Sequence, residues 1–332
     1  MNWVDRMSHL FENAPNEDRE KYPFVRQNTS DAVCSDFYPS FKDNLYKVMN
    51  YTFDVDEKYL KLLKLDAAGI KNLTENDSNS SYPVIATAAS SNHYHEIQGL
   101  IRDYHRNLLP IYPGMKLIFY DLGMTIQQII QMNKHCKCEI RRFPFYIFPR
   151  HIRIIKGYGW KPLIIQLLLL EFDFVMWADA SVRFNGNPLD KLFKGANEIG
   201  VQAVPGWGSI AVRTNALTFT ALGEQACLFD YPEFEATWMA FKRSEFTLTA
   251  VMRPWILCAL QYGCMDFKKS KIHLRCPLGR EQKFGSCHRF DQSVIGILLT
   301  RLFNYKSHLC QFIVNGIGDI KRDEYVVYFP ES

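Results

Sequence analysis

The residues best suited to chemistry in this chain form a small polar cluster at the end of an apolar run. Residues 174 to 177 are continuously apolar and follow a helical stretch, which predicts a strand buried on both faces. Asp179 and Ser181 come directly after this strand. Ligands of open α/β sheets bind beyond the carboxyl ends of the strands, so Asp179 is a candidate ligand for a metal ion or a sugar. A simple turn role is the competing interpretation, because Asp is common in turns.

A second cluster, His288 and Asp291, precedes the strongly apolar helical segment QSVIGILLTRLF. Asp291 is suited to be the N-cap of that helix, and it is equally a candidate contact for a sugar or an acceptor. His288 alone is typical of a structural histidine. If a reaction needs a carboxylate base near an acceptor hydroxyl, Asp291, Asp266 and Glu281 are all candidates, and the sequence does not choose among them.

Two cationic residues lie near the first cluster. Lys161 is at the predicted start of a helix, where a phosphate would also meet free backbone N–H groups, although a solvated surface lysine is the commoner case. Arg183 follows Asp179 closely, so it can pair with that carboxylate or reach a diphosphate.

Small residues and one tryptophan complete the candidate set. Trp207 lies between Gly206 and Gly208; the glycines allow a close approach to a ligand, and an indole is a common platform for the apolar side of a sugar. A core tryptophan between turn glycines is the alternative. Small residues from Ala86 to Ser90 follow a predicted strand, which suits either close approach of a nucleotide or tight strand-to-helix packing.

Strands and helices alternate from Tyr82 onward, and such alternation predicts an α/β fold with a mainly parallel sheet flanked by helices. The predicted strands are VIATA, KLIFY, CEIRRF, residues 174–177, residues 199–203 and EYVVYF. The predicted helices cover 95–109, 125–132, a segment from Trp160, 188–193, 217–228, 248–262 and 292–303. Residues 1–81 are polar and poorly periodic, so we expect a stem with some local helix, followed by one catalytic domain over 82–330.

Composition narrows the class of protein. An apolar fraction of 47% in 332 residues is enough for a full core, and a formal net charge of +4 without a basic stripe argues against a nucleic-acid partner. No segment is long and apolar enough for a membrane span, and no signal peptide is recognised. Five N-x-S/T sequons precede Tyr82, and the nine cysteines lack zinc-ribbon spacing. Both features favour glycosylation and disulfides, with at least one disulfide between Cys258 and Cys287.

Four blocks in order carry a resemblance to a known type of enzyme: YPVIATAASS, GYGWKPLIIQ running into MWADASVRF, GWGSIAVRTN, and CHRFDQSVIGILL. Over roughly residues 82–330 the chain resembles nucleotide-sugar-dependent glycosyltransferases of the GT-A type. It looks most like an uncharacterised animal family of glycosyltransferase-like lumenal proteins once catalogued as a domain of unknown function. The resemblance implies a GT-A-like, Rossmann-related domain.

The same resemblance implies an activity and a set of roles. The donor would be a nucleotide diphosphate sugar, and the acceptor a glycan or glycoprotein hydroxyl that receives a hexose or N-acetylhexosamine. Asp179 and His288 match the positions of ligands to a divalent cation, with manganese expected. Ser181 stands where many such enzymes have a second Asp, so the alternative role of this cluster is to position the sugar and ribose, with the metal weakly held or absent. Asp179 and Asp291 match catalytic positions. The remaining matched residues are expected to contact the donor: Ala86, Ser90, Lys161, Ser181, Arg183 and Trp207.

The resemblance also places the protein in the Golgi or the secretory lumen, with an amino-terminal membrane anchor that this chain lacks. Two other functions are open. The missing second Asp is compatible with a catalytically silent lumenal protein that keeps the fold as a binding or scaffold module. The strand-then-Asp pattern also occurs in cytosolic hydrolases and phosphatases, but the chain lacks a G-x-S-x-G elbow and the second Asp of an aspartyl phosphatase.

Overall fold

The structure is a computed structural model, and it describes residues 2–17, 34, 36–75, 80–267, 276 and 283–330. A six-stranded sheet forms its centre, with the strand order β3-β2-β1-β4-β7-β6. Its strands are β1 Val84–Ala89, β2 Leu117–Asp121, β3 Glu139–Arg142, β4 Phe174–Ala178, β6 Val201–Ser209 and β7 Pro232–Lys242. β1 to β4 are parallel, β7 is antiparallel to β4, and β6 is antiparallel to β7. The predicted α/β class with a mainly parallel, helix-flanked sheet is therefore confirmed.

A second, two-stranded sheet lies beside the first. It pairs β5, Val182–Phe184, with β8, Gly318–Ile320, in antiparallel register. β5 begins three residues after Asp179, so this small sheet starts at the end of β4. The predicted strand over EYVVYF is wrong: its residues form no strand, and the side chains of Tyr325 and Val327 are exposed.

Helices cover the sheet on both faces. The two that bear on the site are α7, Trp160–Glu171, and α11, Asp291–Phe303, and both are almost entirely buried. The helices are α1 Trp3–Asn13, α2 Phe41–Met49, α3 Glu57–Leu62, α4 Ala67–Glu75, α5 Tyr94–Asp103, α6 Ile126–His135, α7 Trp160–Glu171, α8 Asp190–Ile199, α9 Ala216–Leu222, α10 Arg253–Leu260 and α11 Asp291–Phe303. π-helical turns extend α5 through Leu108 and precede α10 from Thr247.

The amino-terminal helices share the main core. Phe11 of α1 and Phe41 of α2 are buried in the same cluster as Phe246 and Phe303, and the Phe41 and Phe303 rings lie 6.0 Å apart. A disulfide between Cys34 and Cys227 also joins this region to the second half of the chain. In the described ranges, the region expected to be a stem therefore packs as part of one folded body.

Three further disulfides are present: Cys136–Cys138, Cys258–Cys264 and Cys276–Cys287. Two of them lie between Cys258 and Cys287, so the prediction of a bridge in that stretch is confirmed. Cys310 is a free, buried thiol. None of the helices in the described ranges has both the length and the apolar character needed to cross a bilayer.

Candidate active site at the end of strands β1 and β4

The candidate site lies where the sheet changes direction. The chain forms β2 and β3 on one side of β1 and then returns to place β4 on its other side. Such a reversal leaves a crevice beyond the carboxyl ends of the two central strands, and open α/β sheets bind ligands there. Ser90 follows β1 and Asp179 follows β4, so both predicted residues border this crevice.

Three charged side chains from separate elements meet at this crevice, and we call them the triad: Lys161, Asp179 and Asp291. The Lys161 Nζ lies 3.0 Å from Asp179 Oδ1 and 2.7 Å from Asp291 Oδ2. It also donates to the carbonyl of Ala236 at 3.0 Å. Lys161 is thus a buried clamp between two carboxylates rather than a solvated surface lysine.

The two carboxylates of the triad differ in their surroundings. The Asp179 side chain is 31% exposed and Asp291 only 6%. Asp179 Oδ1 accepts from the Trp177 indole N–H at 2.7 Å as well as from Lys161, whereas its Oδ2 has no hydrogen-bond partner among the described residues. Asp179 therefore has one oxygen held in place and one available to a ligand.

Burial sets the electrostatics of the triad. Desolvation alone would lower the Lys161 pKa, but the two carboxylates outweigh it and raise the pKa above its ordinary value, so the lysine is charged. Burial raises the pKa of Asp291, and the Lys161 ammonium offsets only part of that effect. Since removing one member of a buried ion pair leaves an uncompensated charge, the triad is strongly coupled.

Two aromatic residues with left-handed backbones fix the helices that supply the triad. Tyr158 (φ 55°) precedes α7 and Phe290 (φ 49°) precedes α11, and their rings are 5.7 Å apart. Positive φ in a non-glycine residue costs on the order of 1–3 kcal/mol, and it persists only where the surroundings impose it. Burial and the Asp291 charge raise the pKa of the Tyr158 phenol, which places that hydroxyl within the field of the triad.

Asp291 is the first residue of α11, and Phe290 occupies the N-cap position without a side-chain cap hydrogen bond. The predicted N-cap role of Asp291 is therefore wrong. Its carboxylate turns to Lys161 instead, because the left-handed Phe290 redirects the chain immediately before the helix.

His288 is fully buried, and both its ring nitrogens have backbone partners. Nε2 lies 2.9 Å from the Met265 carbonyl oxygen, and Nδ1 accepts from the Asn215 N–H at 3.4 Å. The ring also packs 4.8 Å from Phe290. His288 would have to give up one of these hydrogen bonds to bind a metal ion.

The donor set does not fit a cation held by protein side chains alone. Asp179 offers one oxygen, Ser181 is 5% exposed, and His288 is occupied. Within the described ranges, no three His, Cys, Asp or Glu side chains are grouped as a metal site would require.

Arg183 neither pairs with Asp179 nor points toward a diphosphate site, contrary to both predictions from the sequence. Its guanidinium donates to the Glu324 carboxylate at 2.6 Å and to the backbone carbonyls of Ala180, Val182 and Glu96 at 2.7 to 2.9 Å. These bonds use all three nitrogens and tie β5 to α5, so the side chain is not turned toward Asp179 or toward a diphosphate.

The two residues predicted near β1 differ in position. Ala86 is in the interior of the strand with no exposed surface, between Ile118 of β2 and Trp177 of β4, so it packs the sheet. Ser90 lies at the end of the strand, where its hydroxyl donates to Asn92 Oδ1. Trp207 is outside the triad and 91% exposed.

Strand β7 supplies contacts that the sequence did not predict. The Ala236 carbonyl accepts from Lys161, and the Thr237 carbonyl accepts from the Asp179 N–H at 2.8 Å. Arg322 Nη2 reaches Glu235 at 3.2 Å and the Thr237 hydroxyl at 3.3 Å. The alternation of Glu233, Glu235 and Thr237 with apolar residues was the signal that could have revealed this strand.

His93 is a further unpredicted residue at the crevice. It ends the 3₁₀ turn Ser91–His93 after β1, and its Nδ1 lies 2.6 Å from Glu96 Oε2. The hydrogen bond to Glu96 raises the His93 pKa against the opposing effect of burial, and the charges of Asp179 and Asp323 add to it. His93 thus lies three residues beyond Ser90 at the β1 end of the crevice, and it carries positive charge more readily than an ordinary histidine.

Residues 47–166 match a family described as "Protein of unknown function (DUF1647)". No curated protein matches the chain. Among solved structures, the chain is similar to the bifunctional glycosyltransferase WbbM (11% identity, TM-score 0.36, 69% of this chain), and the match spans only 39% of that protein. It is also similar to the galactosyltransferase LgtC (14% identity, TM-score 0.34, 66% of this chain and 70% of that one). A third is core-mannan synthase A of Aspergillus fumigatus, in its Mn/GDP form (10% identity, TM-score 0.40, 72% and 74%).

Proposed function

We propose that this protein transfers a hexose or N-acetylhexosamine from a nucleotide diphosphate sugar to a hydroxyl of a glycan or glycoprotein. The observation that carries the proposal is the Asp179 carboxylate, held by Trp177 and Lys161 through one oxygen, with the other oxygen available at the crevice beyond β1 and β4. The motif resemblance, which spans the segments that build this crevice, is the second support.

The chemistry requires one bond to form and one to break. The acceptor oxygen bonds to the anomeric carbon, the bond from that carbon to the diphosphate oxygen breaks, and the acceptor proton passes to a carboxylate of the triad. Asp179 Oδ2 suits a hydrogen bond from a sugar or ribose hydroxyl. Asp291, whose pKa is raised by burial, suits proton acceptance better than an ordinary carboxylate, because base catalysis improves as the pKa approaches the working pH.

The departing diphosphate needs positive charge, and Lys161 is already committed to the triad. Arg289 and Arg322 are the nearest alternatives by position, since Arg289 is two residues before Asp291 and Arg322 bonds Thr237. Burial lowers the Arg289 pKa; Glu233 and Glu235 oppose that effect, while Arg213 and Arg322 add to it. The Arg289 Nε has no hydrogen-bond partner among the described residues, and such a donor is suited to an anion.

Direct binding of the donor tests the proposal. Calorimetric titration with uridine and guanosine diphosphates, each with and without manganese, is expected to show binding of one nucleotide. Asp179→Asn should lower the rate of sugar transfer by on the order of a hundredfold or more, while the melting temperature stays unchanged. Asp56→Asn, which changes an exposed aspartate at the N-cap of α3, is the matched control, and this variant should transfer sugar at the parent rate.

Normal transfer by a stably folded Asp179→Asn protein would exclude this crevice as the active centre. Manganese dependence stays a prediction of the resemblance, and the paired titrations decide it.

A catalytically silent binding or scaffold protein is the second candidate, because Lys161 already pairs with both carboxylates of the triad. A scaffold need bind neither nucleotide, so the same titrations separate the two functions. Failure of both nucleotides to bind, with or without manganese, would favour the scaffold.

The four disulfides fit an oxidising, secretory-type compartment. We place the activity in the Golgi or secretory lumen, where nucleotide-sugar donors and glycan acceptors would meet. Two of the five sequon asparagines, Asn50 and Asn72, are exposed; Asn28, Asn76 and Asn79 lie outside the described residues, as does Glu281.

A further inference from the structure

A bulge in β6 pushes Trp207 out of the sheet. Pro205 pairs with Phe234 of β7 and Ser209 pairs with Pro232, so residues 206–208 oppose a single residue of the partner strand. Bulges re-aim side chains and are frequent next to active sites. Trp207 is consequently 91% exposed, whereas the other five tryptophans are buried or half-buried.

The two glycines beside Trp207 are required by what lies beneath them. A Cβ at Gly206 would overlap the Glu233 side chain, and one at Gly208 would overlap the Arg213 guanidinium. Arg213 and Glu233 form a buried ion pair, so the backbone of the bulge rests directly on it. The backbone that carries Trp207 is thus supported from below, while its indole is turned to solvent.

Trp207 lines a cleft of about 730 Å³ between the bulge and the segment around β8. Pro205, Ile313 and Ile320 give it apolar surface, and Glu235, Asp319 and Arg322 give it polar groups. The charges are balanced in place, because Glu235 pairs with Arg322 at 3.2 Å and Asp319 with Lys321 at 2.6 Å.

The cleft and the triad both border strand β7, although no residue of the triad lines the cleft. Along β7, Glu235 lines the cleft, while the next two residues, Ala236 and Thr237, give their carbonyl oxygens to Lys161 and Asp179. On the other wall, β8 pairs with β5, which begins directly after the Asp179 turn.

We propose that this cleft binds the saccharide acceptor as a neutral sugar unit, with its apolar face stacked on Trp207 and its hydroxyls on Glu235 and Arg322. The role as acceptor rests on the proposed function; the sugar-binding role of the cleft does not. An exposed indole beside paired donors and acceptors is what a pyranose needs, since one face of the ring is apolar and the rim carries hydroxyls. Balanced charges favour a neutral saccharide over a sulfated or uronic one, whose anions would meet Glu235 and Asp319.

Trp207 fluorescence provides a direct readout, because it is the tryptophan exposed to solvent. The probes are methyl β-glycosides of glucose, galactose, mannose and N-acetylglucosamine, with a heparin tetrasaccharide as the acidic comparison. We expect at least one neutral glycoside to shift the emission to shorter wavelength and to protect the protein from acrylamide quenching. Uridine and guanosine diphosphates, titrated in parallel, report the donor crevice independently.

Three variants complete the test. Trp207→Ala should weaken the affinity for that glycoside roughly tenfold or more, measured by saturation-transfer NMR, while Trp207→Phe, which keeps a stacking face, should retain most of it. Tyr46→Ala, which removes an exposed aromatic on α2, is the matched control and should change nothing. Nucleotide binding should be the same in all of them.

The outcomes separate the two proposals. Glycoside binding without nucleotide binding would support the saccharide cleft and count against transfer. Nucleotide binding with no protection of Trp207 by any neutral glycoside, protection by the heparin fragment alone, or equal glycoside affinity in Trp207→Ala would overturn the cleft assignment and leave the proposed function standing.

Discussion

At the scale of the residue, the proposed function depends on Asp179, and the sequence predicted its place: a carboxylate that ends a buried parallel strand lies at the crevice of the sheet. Asp291 was also identified, but the link between them was not. That link is Lys161, whose sequence context permits a surface position. A buried lysine becomes evident only when the elements bring two carboxylates to it.

A carboxylate at position 181 would give the cluster around Asp179 the second Asp that many GT-A-type enzymes have. Ser181→Asp should be tolerated or should strengthen manganese dependence, because a second carboxylate near Asp179 supplies another hard oxygen ligand. Calorimetry of manganese binding to the parent and variant measures the change. Weaker manganese binding by a normally folded variant would contradict the expected geometry.

The charge of His93 should make the stability of the protein depend on pH. Glu96, Asp179 and Asp323 act on its ring, and the folded-state pKa is raised above the ordinary 6.5. A raised pKa means that this histidine contributes stability fully below about pH 6.5, and that the contribution is lost as the pH rises through the folded-state pKa. The parent melting temperature should therefore fall across that window more steeply than that of His93→Gln.

Glu96→Gln is the companion variant, since it weakens the hydrogen bond that does most to raise the His93 pKa. The His93 ring, followed by NMR, should then titrate closer to its ordinary pKa. Parallel melting profiles for the parent and His93→Gln between about pH 6 and pH 9 would show that the ion pair has no energetic role.

At the scale of the element, most strands and helices were predicted because their apolar periodicity is local information. β7 was missed although it is central to the site. Its two glutamates interrupt the apolar run, and their burial depends on partners elsewhere in the chain: Glu233 is held by Arg213 and Gln292. The predicted EYVVYF strand is wrong although its local pattern is typical of a strand. A strand also needs a pairing partner, and residues 318–320 are the ones that pair with β5.

The coupling of α7 to α11 through the triad yields a prediction at this scale. Lys161→Met should destabilise the fold by about 3–5 kcal/mol, because the buried Asp291 and the partly exposed Asp179 lose their cation. Lys161→Met combined with Asp291→Asn should recover part of that loss, since one of the uncompensated charges is gone. Urea unfolding of the parent, single and double variants measures both; additive losses would show that the two residues do not interact.

At the scale of the whole molecule, the sequence predicted a stem where the structure has helices packed into the core. The amino-terminal helices are amphipathic, and a narrow apolar stripe on a short helix does not reveal its partner. The Phe41 ring packs against Phe303, and Cys34 is bonded to Cys227, although the members of each pair are far apart in the sequence. Such contacts belong to the tertiary structure, and the pattern of polar and apolar residues along the sequence does not reveal them.

The Cys34–Cys227 bridge closes a loop with a sequence separation of 193, whereas Cys136–Cys138 has a separation of 2. In the chain-entropy account a long loop restricts the unfolded chain far more than a short one. Replacing both cysteines of the long bridge with serine should therefore cost up to about 5 kcal/mol, and the same change in the short bridge about 2 kcal/mol or less. Urea unfolding of the two double variants under non-reducing conditions measures the difference. If the short bridge proved the more costly to lose, the amino-terminal helices would hold to the core by packing alone, and nucleotide binding by the long-bridge variant should then match the parent.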